Sequence, residues 1–293
     1  MWGPLMTAMV TPFDADLNVD HEAAAALVRH LIATGSSSVL VCGTTGESPT
    51  LSHDEKVALI RTVVAAAEGR VPVLAGTGSN CTRSTVDFTR EVSALGVDGI
   101  MLVCPYYNKP TQEGLFQHFA AGARATELPV MLYNIEARTS RNIEPATVGR
   151  LAREVPNIVA LKEASGKIDQ FAAMALAVPD GFALYSGNDS DTPAILACGG
   201  VGVVSVASHV AGPVIRAMID AFLGGDFARG ARLYLAQMPL VNALFPPTSV
   251  NPAPIKAVCE MTGLRVGGVR LPLVPADDGV RAALQAALAG LDG

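Results

Sequence analysis

Along the chain, short unbroken apolar runs alternate with longer stretches in which apolar positions recur every three or four residues. The short runs, at 5–10, 38–42, 71–75, 99–103, 130–133, 158–162, 183–185 and 202–206, read as strands buried on both faces. Between them, periodic stretches predict helices at 21–34, 52–67, 82–95, 111–126, 145–154, 168–177 and 192–198. Asp20 is placed to cap the first helix, and Ser52-x-x-Glu55 has the capping-box pattern. Strands alternating with helices eight times over predict an α/β fold, a closed (β/α)8 TIM barrel. Beyond Pro213 the strand pattern stops. Three or four helices follow, near 214–223, 226–243, 254–262 and 277–288, one as the eighth barrel helix and the others as a C-terminal helical extension. The expected organisation is a catalytic barrel over 1–224 and a helical region over 225–293.

Composition narrows the partners. Half of the 293 residues are hydrophobic and 16% are charged, so a large core is available. A net charge of −6 with no basic run argues against nucleic acid or an anionic membrane surface. The charge-free stretch 192–215 is long enough to span a bilayer, but its glycines, Pro213 and His209 parse better as helix end, strand and loop. Five scattered cysteines without CxxC spacing read as reduced, mostly buried thiols of a cytoplasmic protein. Metal-ligand spacing, a phosphate loop and a nucleophile elbow are all absent from the sequence, so neither metal nor cofactor is expected.

Candidate chemistry gathers at the predicted carboxyl ends of the strands, where barrel enzymes carry their sites. The sixth strand runs from Ile158 straight into Lys162-Glu163. Taken alone, Lys162 reads either as an amine reaching for water or as a desolvated nucleophile with a lowered pKa. After the second strand, Gly43-Thr44-Thr45-Gly46-Glu47-Ser48 offers N–H groups and two hydroxyls for a small carboxylate, and reads equally as a glycine turn. Tyr106-Tyr107 follows the fourth strand, in a proline-framed loop suited to packing, to a partner subunit or to chemistry. Tyr133 ends the fifth strand, with Arg138 on the loop beyond as a fork for a carboxylate. An amine, a phenol, hydroxyls and a guanidinium expected at one rim describe a site for condensing or cleaving keto acids.

These segments, together with Tyr106-Tyr-Asn-Lys-Pro-Thr-Gln-Glu-Gly114, Tyr133-Asn-x-x-x-Arg-Thr139, Lys162-Glu-Ala-Ser-Gly166, Ser186-Gly-Asn-Asp189 and Gly202-Val-Val-Ser205, closely resemble the dihydrodipicolinate synthase family of pyruvate-dependent class I aldolases. The resemblance covers essentially the whole chain. It implies a cofactor-free lyase in which Lys162 forms a Schiff base with pyruvate. Tyr133 would relay protons, with Thr45 linking it to Tyr107 from a neighbouring subunit. Thr44 and Thr45 would hold the pyruvate carboxylate. Arg138 would engage the carboxylate of L-aspartate 4-semialdehyde, and Gly187 and the Val204 carbonyl would line the site. The product would be 4-hydroxy-tetrahydrodipicolinate, on the way to lysine and diaminopimelate, made by a homotetramer built as a dimer of dimers.

The chain also departs from the family's pattern. Glu136 stands where many members have proline, and Ser140 where they have glycine; both lie close to Arg138. Ser48, His53, Asn80 and Tyr106 match an allosteric lysine pocket, but Lys56 replaces a frequent histidine and Ser84 a glutamate. A lost carboxylate and an added cation disfavour a cationic ligand, which predicts weak or absent lysine inhibition. Two rival readings follow from the same residues. One is a sister aldolase such as N-acetylneuraminate lyase or a keto-deoxy sugar acid aldolase. The other is a catalytically silent barrel that senses small molecules.

Overall fold

In the computed structural model, which describes residues 2–290, each of the eight apolar runs becomes a strand: β1 (Leu5–Ala8), β2 (Ser38–Val41), β3 (Val73–Gly76), β4 (Gly99–Val103), β5 (Val130–Asn134), β6 (Ile158–Glu163), β7 (Ala183–Ser186) and β8 (Gly202–Ser205). They follow one another in sequence order around a closed barrel, and the pairings along it are parallel. Nearly every strand residue is buried, which explains why the runs are apolar throughout rather than alternating. The predicted α/β barrel is therefore the observed one, followed by C-terminal helices.

The chain falls into two compact units, one running to Val73 and resuming at Ser205, the other Leu74–Val204. In the first, α1 (His21–Ala33) and α2 (His53–Ala67) bury Leu27, Val28 and Leu31, and Leu59, Ile60 and Val63. Each such side chain contributes about 1.5–3 kcal/mol relative to exposure. Asp20 caps α1 by accepting from the Ala23 N–H, and the Ser52–Glu55 capping box is fully formed. The second unit carries α3 (Thr82–Ser93), α4 (Gln112–Ala123), the one-turn α5 (Glu136–Thr139), α6 (Pro145–Glu154), α7 (Ile168–Ala177) and α8 (Thr192–Ala197). Returning to the first unit, α9 (Ser208–Leu223), α10 (Phe227–Leu244), α11 (Ala253–Met261) and α12 (Asp278–Ala289) close the chain.

Two elements differ from expectation. Helix α9 begins at Ser208, six residues before the predicted start. It absorbs Gly212 and Pro213 through a non-helical residue at Ala211, so the expected breakers bend the helix instead of delaying it. Arg138, expected on a loop, lies on α5. The charge-free stretch 192–215 divides among α8, β8 and the first half of α9, and among the described residues no helix is long and apolar enough to cross a membrane. No cysteine is disulfide-bonded: Cys42, Cys104 and Cys259 are buried, Cys198 is half-buried and Cys81 is exposed.

The register between β5 and β6 shifts by one residue. Val130 pairs with Ile158, but the next partners are Met131 and Ala160, so Val159 is an extra residue in β6. The bulge has a chemical consequence. Without it Tyr133 would face Leu161; with it Tyr133 pairs with Lys162 and Asn134 with Glu163.

Candidate active site

Lys162 is placed by β6, one residue from its end, and its side chain is buried. Register partners flank it on both sides, Tyr133 on β5 and Tyr185 on β7, so an amine and two phenols share one face of three adjacent strands. The ammonium nitrogen lies 4.2 Å from the centroid of the Tyr133 ring. Among the described residues Lys162 makes no ion pair. Burial pushes its pKa down to about 7, against an upward pull from the Asp189 carboxylate and with a further downward push from Arg138. The shift favours the uncharged amine, the form that attacks a carbonyl. The snorkelling alternative for Lys162 does not describe this residue.

Around the amine, α5 carries Arg138 on an exposed turn immediately beyond β5. Gly187 follows β7 and donates its N–H to the Glu163 carbonyl at 2.7 Å. A Cβ there would sit 2.6 Å from the Ala164 Cβ, so only glycine allows this approach. Val204 is buried within β8. Tyr107 behaves differently from Tyr133. It sits at a positive φ of 73° and is 90% exposed, while the adjoining Tyr106 is partly covered.

The threonine loop after β2 is held within the other unit. The Asn251 side chain donates to the Thr45 hydroxyl at 3.0 Å, and the Thr11 hydroxyl donates to the Gly46 carbonyl at 2.6 Å. Glu47, in the left-handed region at φ 53°, lies 2.7 Å from the Lys256 ammonium. Lys256 also donates to the Gly268 carbonyl at 2.6 Å, and the Arg270 N–H donates to the second Glu47 oxygen at 3.0 Å. Thr45 is buried and Thr44 half-buried. The loop is thus pinned at three successive residues by polar partners, more than a plain glycine turn requires.

The two departures near Arg138 have local explanations. Glu136 pairs with Lys167, whose ammonium lies 2.6 Å away, so its negative charge has a cation beside it. Ser140 ends α5 at φ 55° and ψ 22°, the left-handed conformation that favours glycine. Serine here holds a backbone position that glycine would occupy with less strain.

Of the positions expected to match a lysine pocket, Ser48 is half-buried, His53 is exposed, and Lys56 is half-buried with its pKa lowered by burial. In the other unit, the Asn80 carbonyl accepts from Asn108 at 2.8 Å, Tyr106 is exposed, and Ser84 hydrogen-bonds the Cys81 thiol.

Sequence reasoning missed Tyr185 and Asp189. Tyr185 is buried beside Lys162, and burial raises its phenol to about 12. Asp189 is buried on the turn after β7 and acts on the lysine through its charge. Both stand at or just beyond a strand's carboxyl end, which was the available signal. Among the described residues no cluster of three metal-ligating side chains exists.

Comparison with known proteins gives the family. A model of the dihydrodipicolinate synthetase family matches residues 1–291. A 4-hydroxy-tetrahydrodipicolinate synthase from Thermosynechococcus vestitus is 51% identical over 98% of this chain and 96% of its own length. One from Synechococcus sp. strain CC9605 is 53% identical over 99% of this chain and 95% of its own. The crystal structure of the enzyme from Cyanidioschyzon merolae with lysine bound superposes with a TM-score of 0.97 at 44% identity, covering 99% of this chain and 98% of that one. With its barrel, its buried strand-end lysine and full-length likeness to these proteins, the chain belongs to the dihydrodipicolinate synthetase family.

Proposed function

We propose that this chain is a lyase that condenses pyruvate with L-aspartate 4-semialdehyde to give 4-hydroxy-tetrahydrodipicolinate, a step of lysine and diaminopimelate biosynthesis. The observation that carries the reading is Lys162, buried, in register with Tyr133, with no carboxylate in ion-pair distance among the described residues and its pKa pushed down to about 7 by burial. The neutral amine adds to the pyruvate carbonyl and water leaves, forming an iminium bound to the lysine nitrogen. That iminium draws electrons from the methyl carbon, which loses a proton to become an enamine. The enamine carbon then forms a bond to the aldehyde carbon of the second substrate. Tyr133 moves protons at these steps, where a fixed phenol outperforms bulk water.

Under this reading Thr44 and Thr45 hold the pyruvate carboxylate, and Thr45 connects the phenols of Tyr133 and Tyr107. Arg138 pairs with the semialdehyde carboxylate, with Gly187 and the Val204 carbonyl lining the site. Full exposure of Tyr107 on a left-handed loop residue supports its working in a neighbouring subunit, and so a homotetramer of two tight dimers. Five cysteines without a disulfide suit the cytoplasm. Lys56 and Ser84 support weak or absent inhibition by lysine; an inhibition curve with a sub-millimolar midpoint would refute that part.

The test is a coupled assay with both substrates, paired with borohydride reduction in the presence of pyruvate and mass spectrometry. Turnover, plus a reduced pyruvate adduct on Lys162, is the expected result. An adduct without turnover would move the second substrate to another aldehyde, and neither would overturn the reading.

A further inference from the structure

The strand that carries Lys162 ends in a second buried ionisable group, Glu163, whose carboxylate has no cation within ion-pair distance among the described residues. Its partners are neutral. Asn134 donates from one amide nitrogen to both carboxylate oxygens, at 3.2 and 2.9 Å, and the Ser165 N–H donates at 2.7 Å. Burial raises the pKa of this carboxyl.

Asn134 is the centre of a larger arrangement. Its amide nitrogen also donates to the Asn142 side-chain oxygen at 2.8 Å, and its own side-chain oxygen accepts the Ile143 N–H at 3.0 Å. Asn142 in turn exchanges two hydrogen bonds with Gln170 of α7, at 2.7 and 3.0 Å. Asn134 and Asn142 are the two ends of the segment 135–141, and Arg138 stands at its middle. The excursion that carries the guanidinium is thus fastened at its base, and the fastening is tied to the residue next to the Schiff-base lysine.

We infer that Asn134, Asn142, Gln170 and Glu163 form a clasp of positioning residues that fixes Arg138 relative to Lys162 and so sets affinity for the second, carboxylate-bearing substrate. The inference rests on the function proposed above and deepens it. The geometry favours this role over simple stabilisation because the bonds join two chain segments whose tips carry different jobs. One tip holds the amine, already fixed by its strand. The other holds a cation on a single exposed helical turn, and α5 is too short to hold itself in place. Directed polar bonds at the base supply that orientation, and a 1 Å misplacement of a substrate-positioning group can cost about 100-fold in rate.

The experiment is steady-state kinetics of full-length Asn142→Ala, alone and combined with Arg138→Ala, with Gln170→Ala as a milder second variant. In Asn142→Ala the KM for the semialdehyde should rise about tenfold. The KM for pyruvate and the rate of borohydride trapping should stay within about twofold. In the Arg138→Ala background the same substitution should change the semialdehyde KM by less than about twofold, since the clasp acts through the guanidinium. Equal rises in both KM values, or a full effect that persists without Arg138, would overturn the inference. If Asn142→Ala does not fold, Gln170→Ala decides by the same split between substrates. Wild type that turns over normally while both variants match it sinks the clasp alone. Wild type that is inactive with these substrates sinks the functional reading and the clasp with it.

Discussion

Two lysines are buried in this protein, and they have opposite surroundings. Lys256, in α11, lies against a carboxylate at 2.7 Å and a carbonyl at 2.6 Å, with the Phe13 ring 4.0 Å away. Lys162, at the end of β6, has a phenol ring at 4.2 Å and, among the described residues, no ion pair. Burial lowers both, to about 8 for Lys256 and about 7 for Lys162. The carboxylate 2.7 Å from Lys256 favours its charged form and ties it into the structure, while Lys162, with no carboxylate in ion-pair distance among the described residues, gives up its proton more readily for chemistry. Burial alone does not make a lysine reactive. Keeping the counter-charge beyond ion-pair distance does.

The largest test of that contrast is activity. Lys162→Ala should lose turnover by more than ~10³-fold and lose the borohydride-trapped adduct, whereas its circular dichroism should match wild type. An active variant would erase the distinction.

Next comes stability. Lys256→Met leaves Glu47 buried without its cation, and about 3–5 kcal/mol should be lost in urea unfolding. Glu47→Gln combined with Lys256→Met should recover most of that loss, because no isolated charge remains. If the single variant is as stable as wild type, the pair is not the anchor described here.

A smaller and more specific effect lies in pH. The folded Lys162 value of about 7 is below the unfolded value near 10.4. Between these limits the unfolded chain holds a proton that the folded chain lacks, so stability gains from this group as pH rises from about 7 to about 10. Subtracting the Lys162→Met profile from wild type should isolate that slope, and the trapping rate should climb through pH 7 and then level. A flat difference profile would mean that the amine keeps its proton. Smallest of all should be Lys167→Ala. Its half-exposed pair with Glu136 is screened by water, so Tm should not move measurably, while a rise in the semialdehyde KM would show that the uncompensated Glu136 charge reaches Arg138.

Much of this was readable in the chain. The apolar run into Lys162 gave the strand and the position of the amine, and the spacing of seven further runs gave the barrel. What was not readable shares a cause: it depends on partners far away in sequence or on single-residue geometry. The extra Val159 is invisible inside a run of apolar residues, yet it decides whether Lys162 or Leu161 meets Tyr133. Glu136 reads as a hazard until Lys167, 31 residues on, is seen to pair with it. Ser140 reads as a departure until its left-handed backbone shows what the position demands. Tyr185 reads only as part of a strand and Asp189 only as part of a matched segment, because nothing local says which buried phenol or carboxylate will act on an amine.

Tyr107 has one more consequence. A phenol held 90% in water by a loop residue at φ 73° does little for the chain that bears it. If its work is done in a neighbour's site, each protomer lends a part that it cannot use and borrows one that it lacks. Catalysis then obeys the law of mass action twice, once for substrates and once for subunits. On dilution below the point where subunits separate, specific activity falls although every molecule stays folded, and added inactive Lys162→Ala subunits, which still carry Tyr107, restore part of it.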